Sequence, residues 1–169
     1  MFRLKLAILL LLICVGMPCV KAQESLPIPE NINMQSDKDF ENAEPFVIES
    51  ANWLIHTDLD KNIPDRKKVN EFVWKWISGT PAFTLDITDN LTKLYENNIQ
   101  LLNIFLAVYA SYYIQHKTDF NNLSASRDGI HAMIQVYKKG IGIKKNKEME
   151  KISRMPAAEL EAYISTRFN

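Results

Sequence analysis

The chain has 169 residues, 20 of them basic and 20 acidic, so its formal net charge is zero. That length predicts one domain. Its two cysteines, Cys14 and Cys19, both fall in an N-terminal leader, which excludes disulfides, thiolate nucleophiles and cysteine-based metal sites from the rest of the chain.

The leader is read from its own pattern. Arg3 and Lys5 supply a basic start, Leu6 to Val15 an apolar run, and Gly16 and Pro18 break that run. Val20 and Ala22 suit a signal-peptidase pocket, so residues 1–22 are predicted to be a signal peptide cut after Ala22. A membrane span needs about 20 apolar residues, and this run is shorter. Cys14 follows Ile13 and Cys19 follows Pro18, and neither context fits lipid attachment. The expected location is therefore periplasmic or secreted. Cleavage removes three of the 20 basic residues and none of the 20 acidic ones, leaving a net charge of −3. The charge is also unevenly spread. Residues 24–65 are acidic with only Lys38 and Lys61 against them, whereas residues 138–154 are basic.

Residues 23–36, with Pro27 and Pro29 and no sustained period, are predicted to be a flexible leader to a single domain over 37–169. Pro45 suits a first helical position, so a helix is expected from Pro45 to His56, or from about Asp37 with a kink at the proline. Ser36 and Asp39 have the spacing of a capping box. Pro64 opens a second helix in which Val69, Phe72, Val73, Trp76 and Ile77 form one face. Arg66, Asn70 and Glu71 are assigned to the opposite, solvent face, with Trp74 at its edge. Gly79 is expected to end this helix with a positive φ. Residues 82–88 alternate as an extended strap.

Residues 89–117 are the centre of the chain. From Ile99 to Ile114 nearly every side of the predicted helix is apolar, which requires either lipid or other helices around it. Asn97-Asn98 is a weak point, because asparagine competes with the backbone for hydrogen bonds. A thin polar line, Gln100, Asn103, Ala107 and Ser111, runs down one side. With amphipathic neighbours, this makes the segment the buried helix of a bundle. A further helix is expected from a cap at Ser124 or Ser126, with Ile130, Met133, Ile134 and Tyr137 inward and Gly140 at its end. Met149 and Ile152 anchor the basic stretch, and Pro156 opens a last helix. The fold expected is all-α: a single-domain bundle of five or six helices around the 89–117 segment.

Familiar chemistries are absent from the pattern. His56, His116 and His131 are far apart and form no HExxH, so no metal site and no cofactor are predicted. Asp58, Asp60 and Asn62 imitate the start of a calcium loop, but Ile63 and Val69 stand where glycine and glutamate are required. There is no GxSxG and no glycine-rich phosphate loop. No catalytic residue is assigned. Aromatic residues are sparse in the basic stretch, so nucleic acid is not an expected partner. Lys138, Lys139, Lys144, Lys145, Lys147 and Lys151 remain a candidate interaction surface, set against the plainer reading of a solvated face. Tyr109, Tyr113, His116 and His131 are candidate ligand-binding residues of a tyrosine-lined groove, set against a packed core.

Residues 76–81 (WISGTP), the apolar Leu102-x-Ile104-Phe105-Leu106 run and Gly129-Ile130-x-Ala132-x-Ile134-x-x-Tyr137-Lys138-Lys139 resemble a family of small exported proteins of Bacteroidetes-type bacteria with no assigned function. The resemblance spans roughly residues 50 to 165 and implies export and one domain, but no catalytic residues. In this family context Gly129 is expected to permit close approach of its helix to the central one. The favoured function is a non-catalytic protein-interaction module with an unidentified protein partner and no transmembrane segment after cleavage. One alternative is a small-ligand binder or enzyme using the tyrosine groove. Another is an envelope-surface protein held by the basic segment.

Overall fold

The computed structural model describes residues 26–81 and 84–168; the predicted signal peptide lies outside them. Among the described residues the regular elements are all helices: α1 (Asp37–His56), α2 (Ile63–Gly79), α3 (Asp89–Tyr95), α4 (Ile99–Gln115), α5 (Asn122–Lys139), α6 (Lys147–Ile152) and α7 (Ala157–Arg167). The all-α expectation holds. The helices number seven because the central segment divides and the basic stretch forms the short α6.

The capping box sets the start of α1. Ser36 Oγ accepts from the Asp39 amide at 3.3 Å, and Asp39 Oδ2 accepts from the amides of Ser36 at 3.0 Å and Gln35 at 3.1 Å. These bonds, that from Gln35 first, hold the Asp39 carboxyl below its usual range. The helix therefore begins at Asp37 and carries Pro45 in its interior, the longer of the two expected spans. Pro64 sits in the first turn of α2, where its missing N–H costs nothing.

α4 is covered from several sides. Its most extensive contact is with α5, followed by α1, with α2 and α3 adding further cover. Leu101, Leu102, Ile104, Phe105 and Leu106 are all buried, each stabilising the fold by about 1.5–3 kcal/mol. Two glycines let neighbouring elements close. A Cβ on Gly129 would lie 2.6 Å from Phe105 Cδ2, so α5 reaches α4 only because that atom is missing. Gly79 behaves similarly, not as expected. It is the last residue of α2, lacks a positive φ, and leaves room for the Phe40 ring of α1, whose Cε1 would be 2.6 Å from an added Cβ. Its role is steric, and the turn is made by extended backbone at Thr80.

The break between α3 and α4 falls at Asn97-Asn98. Asn98 stands at the N-cap of α4, but its side chain makes no capping bond there. Its amide instead clasps the backbone of Lys144, donating from Nδ2 to the carbonyl at 2.9 Å and accepting on Oδ1 from the amide at 2.8 Å. Buried Asn146 does the complementary work. Its Oδ1 caps α6 through the Met149 amide at 2.9 Å, and its Nδ2 donates to the Lys93 carbonyl of α3 at 2.9 Å. The 140–146 loop is thereby pinned to the α3–α4 junction. α5 begins earlier than expected: Asn121, not Ser124 or Ser126, is its cap, accepting from the Ser124 amide at 2.9 Å. Gly140 ends it with φ 69°.

α7 closes against α5 and α6. Tyr163 donates to Glu148 Oε1 at 2.9 Å. Burial, then the Glu148 carboxylate, pushes the phenol up to about 12.

Two measurements test these contacts. Gly129→Ala forces an overlap that costs about 1–3 kcal/mol, from which improved helix propensity recovers up to about 1 kcal/mol. A net loss on the order of 1–2 kcal/mol is expected in urea unfolding, partly regained by adding Phe105→Leu; an unchanged midpoint contradicts the close crossing. For Tyr163 the folded phenol stays protonated where the unfolded one ionises. Its contribution is whole below the ordinary value of 10 and declines as pH rises toward about 12. Tyr163→Phe is expected to flatten that part of the alkaline stability limb, and an identical slope in both proteins excludes the bond.

Candidate functional site

Arg66, Asn70 and Trp74 follow one another at i, i+4 and i+8 and so share a side of α2. Facing them are Gln100 and Asn103 on α4. Trp74 Nε1 donates to Asn103 Oδ1 at 2.9 Å, Asn103 Nδ2 to Gln100 Oε1 at 3.4 Å, and Asn70 Nδ2 to the same oxygen at 3.1 Å. The indole N–H can only donate, and that single fact orients every amide along the chain. Asn103 must accept from the indole and so donates to Gln100. Gln100 must accept and so receives Asn70. Asn70 Oδ1 is left as a buried acceptor without a partner.

A cavity of about 590 Å³ opens over this row. Leu59, Ile63, Trp74 and the stems of Lys67 and Glu71 line it together with Arg66, Asn70 and Gln100. Ile63 and Trp74 are exposed at its rim. Arg66, 2% exposed, is the most unusual member. Its Nη2 donates to the carbonyls of Thr57 and, at 3.3 Å, Asp58, at the carboxyl end of α1. A cation there complements the helix dipole. The guanidinium also lies 5.6 Å from the Trp53 ring centroid. Nε and Nη1 have no partner. Burial lowers its affinity for the proton, partly offset by the Asp58 charge. The assignment of Arg66 and Asn70 to a solvent face is thus corrected: α4 and the α1–α2 loop pack over that side. The sequence marked Gln100 and Asn103 but missed their partners. The available signal was the same i, i+4, i+8 spacing on the polar flank.

The other candidates fall into separate places. Tyr109 is buried and donates to Asn122 Oδ1 at 2.8 Å; burial first, then Asp86, raises its phenol. Phe120 packs edge-on to Tyr109 and Tyr113, with ring centroids 5.8 and 5.1 Å away. His116 ends α4, its Nδ1 2.9 Å from the Tyr112 carbonyl and its ring stacked 4.0 Å from Tyr112. His131 is on the exposed side of α5, 2.9 Å from Glu161 of α7, which also meets Arg127 at 2.6 Å. That hydrogen bond, ahead of the arginine, lowers the Glu161 carboxyl. Tyr109 and Tyr113 thus pack on Phe120, His116 stacks on Tyr112, and His131 belongs to the α5–α7 seam.

The basic residues also divide. Lys139 donates to the Ile55 carbonyl at 2.9 Å and meets Asp58 at 3.6 Å; Lys151 meets Glu148 at 3.4 Å. Lys138, Lys144, Lys145 and Lys147 are exposed and have no ion pair among the described residues. No trio of His, Cys, Asp or Glu able to hold a metal occurs among the described residues, and no helix there is long and apolar enough to cross a membrane. Comparison with family models, with curated proteins and with solved structures gives no match.

Two of the buried asparagines, Asn70 and Asn98, should respond oppositely to substitution. Asn70→Leu loses one hydrogen bond, about 0.5–1.5 kcal/mol, but removes an unsatisfied acceptor that costs about 1–3 kcal/mol. Stability equal to or above the parent is expected. Asn98→Leu strands both Lys144 groups and is expected to lose about 2–3 kcal/mol in urea unfolding. Equal losses at the two sites contradict the orientation of the amide chain.

Proposed function

We propose that this protein is a non-catalytic interaction module that receives a short peptide segment of another protein in the α2–α4 groove. The observation that carries this reading is the unpartnered Asn70 Oδ1 beside the cavity, at the end of an amide row whose direction the Trp74 indole dictates. A peptide brings backbone N–H and C=O groups at short intervals, together with side chains for a pocket. Gln100 Nε2 supplies a donor for such a backbone, and Asn70 Oδ1, closed to solvent in this structure, supplies an acceptor once its side chain turns toward the cavity. Leu59, Ile63 and Trp74 supply apolar walls, with Trp74 the kind of residue that anchors interfaces. The groove is favoured over the tyrosine-lined alternative because Phe120 occupies the space between Tyr109 and Tyr113. Export after cleavage at Ala22, and kinship with the small exported family, belong to the same proposal. The leader pattern and the motifs at residues 76–81 and 129–139 support them.

Selection from a displayed random-peptide library on immobilised protein tests the groove. Enriched peptides are expected to bind the parent and to weaken at least about tenfold on Trp74→Ala or Asn70→Leu, the loss of one good contact. Circular dichroism checks that both variants are folded. Failure to enrich any sequence, or enriched peptides indifferent to both substitutions, overturns the proposal.

A further inference from the structure

The loop end of the bundle carries a second surface, distinct from the groove. Four contacts gather the chain there. The Asn98–Lys144 clasp joins the start of α4 to the 140–146 loop. Asn146 joins that loop to Lys93 of α3. Lys139 joins the end of α5 to the end of α1 through the Ile55 carbonyl. Gly142 lies against Leu59 of the α1–α2 loop, where an added Cβ would be 3.1 Å from the Leu59 Cβ. Ile99, 57% exposed, and Ile141, 37% exposed, therefore project from adjoining segments. Ile141 is held out between Gly140 and Gly142, both with positive φ, a backbone path that glycine takes without strain.

The elements that meet at this end carry five lysines, Lys93, Lys138, Lys144, Lys145 and Lys147, all exposed and none in an ion pair among the described residues. The acids at this end are already engaged. Asp58 meets Lys139 and Asp60 meets Lys61, while Glu148 meets Lys151 and Glu150 meets Arg154. Glu96 alone has no ion pair there among the described residues. The result is uncompensated positive charge on the same elements that carry two outward apolar side chains.

We infer that this end docks peripherally on an anionic bilayer surface, with Ile99 and Ile141 entering the headgroup boundary and the five lysines facing lipid phosphates. A bilayer suits the arrangement better than a rigid polyanion. Isoleucine gains nothing beside a phosphate backbone, but it gains by leaving water for the acyl boundary, and lysines at the rim add to that attraction. Neither contribution suffices alone, which gives reversible attachment. Docking through this end leaves the Asn70 and Trp74 part of the groove as a separate site.

The test is co-sedimentation of the full-length chain with vesicles of phosphatidylglycerol and phosphatidylcholine, and with pure phosphatidylcholine. The leader is common to every variant, so differences between variants report the loop end. Binding is expected on the anionic vesicles, to weaken at high salt, and to exceed binding on the zwitterionic ones. The pair Lys144→Glu and Lys145→Glu should reduce it at least about 25-fold, at roughly fivefold for each lysine lost. Ile99→Ser and Ile141→Ser should each reduce it about tenfold. Circular dichroism confirms that these surface variants are folded. Equal binding to both vesicles, or binding unchanged by the lysine pair, overturns the inference. So does retention on duplex DNA as strong as on anionic vesicles with no effect of the isoleucines, since that would make the surface a general polyanion site. Trp74→Ala should leave vesicle binding unchanged, so failure of the groove proposal and failure of this one are read separately.

Discussion

A helix that is apolar on almost every side has to be covered on almost every side, and α4 imposes that requirement on the whole chain. Leu102 and Ile104, two residues apart and so on nearly opposite sides of the helix, point in directions too different for one partner to bury both. α1, α2, α3 and α5 are arranged around it accordingly. The small residues decide how close each can come. Gly129 admits the Phe105 ring under α5, while Ala107 and Ala110, both fully buried, keep other faces of α4 narrow. Dispersion and apolar burial both reward that closeness, since interiors are packed to crystal-like density.

Covering α4 creates a second problem, because its ends and its polar line must be satisfied inside the same packing. The chain solves this with asparagine and glutamine amides, which donate and accept at once. Asn98 and Asn146 turn an interruption in the helix into two clasps that fix the 140–146 loop. Tyr137 completes this corner, its hydroxyl accepting from the Asn146 amide at 3.0 Å. Gln100 and Asn103 spend their amides on α2 instead. Further along the line, Ser111 is bonded locally by Gln115 at 2.8 Å, so the polar line meets a neighbouring helix at one end and its own helix at the other.

Much of this was legible in the residues. The burial of α4, the inward face of α2 at Val69, Phe72, Val73 and Trp76, the interruption at Asn97-Asn98 and the need for glycine at 129 all follow from period or from size. What period reports is which residues share a side, and it does not report which neighbour lies there. Period alone therefore puts Arg66 and Asn70 in water, because their own turn of helix is polar. Their burial depends on the register between α2 and α4, set by contacts thirty residues apart, such as Asn70 with Gln100. Gly79 departs from its expected role for a related reason. A glycine near a helix end usually serves a turn, but here a side chain from α1 needs the space. The candidate groove was half visible, as the Gln100–Asn103 line, and half hidden in that register.

The amide row also explains why the hidden half matters. A row of hydrogen bonds with fixed direction must end in an unmatched group unless it meets water, backbone or a partner. On α4 the direction is imposed by an indole that cannot reverse, so the unmatched acceptor falls inside, on Asn70, not at the exposed tryptophan end. A fold selected for stability alone would remove it with a residue such as leucine at that position, since an orphaned acceptor costs more than the single bond Asn70 makes. Under the proposed function, asparagine beside a cavity walled by Leu59, Ile63 and Trp74 is the polar group that an incoming backbone would meet. The same logic applies at Arg66, where two carbonyls of the α1–α2 loop engage one nitrogen and leave the others unpartnered. Stability is conceded at the groove and recovered along α4, and a rigid scaffold with local polar deficits is what the proposed function would require of it.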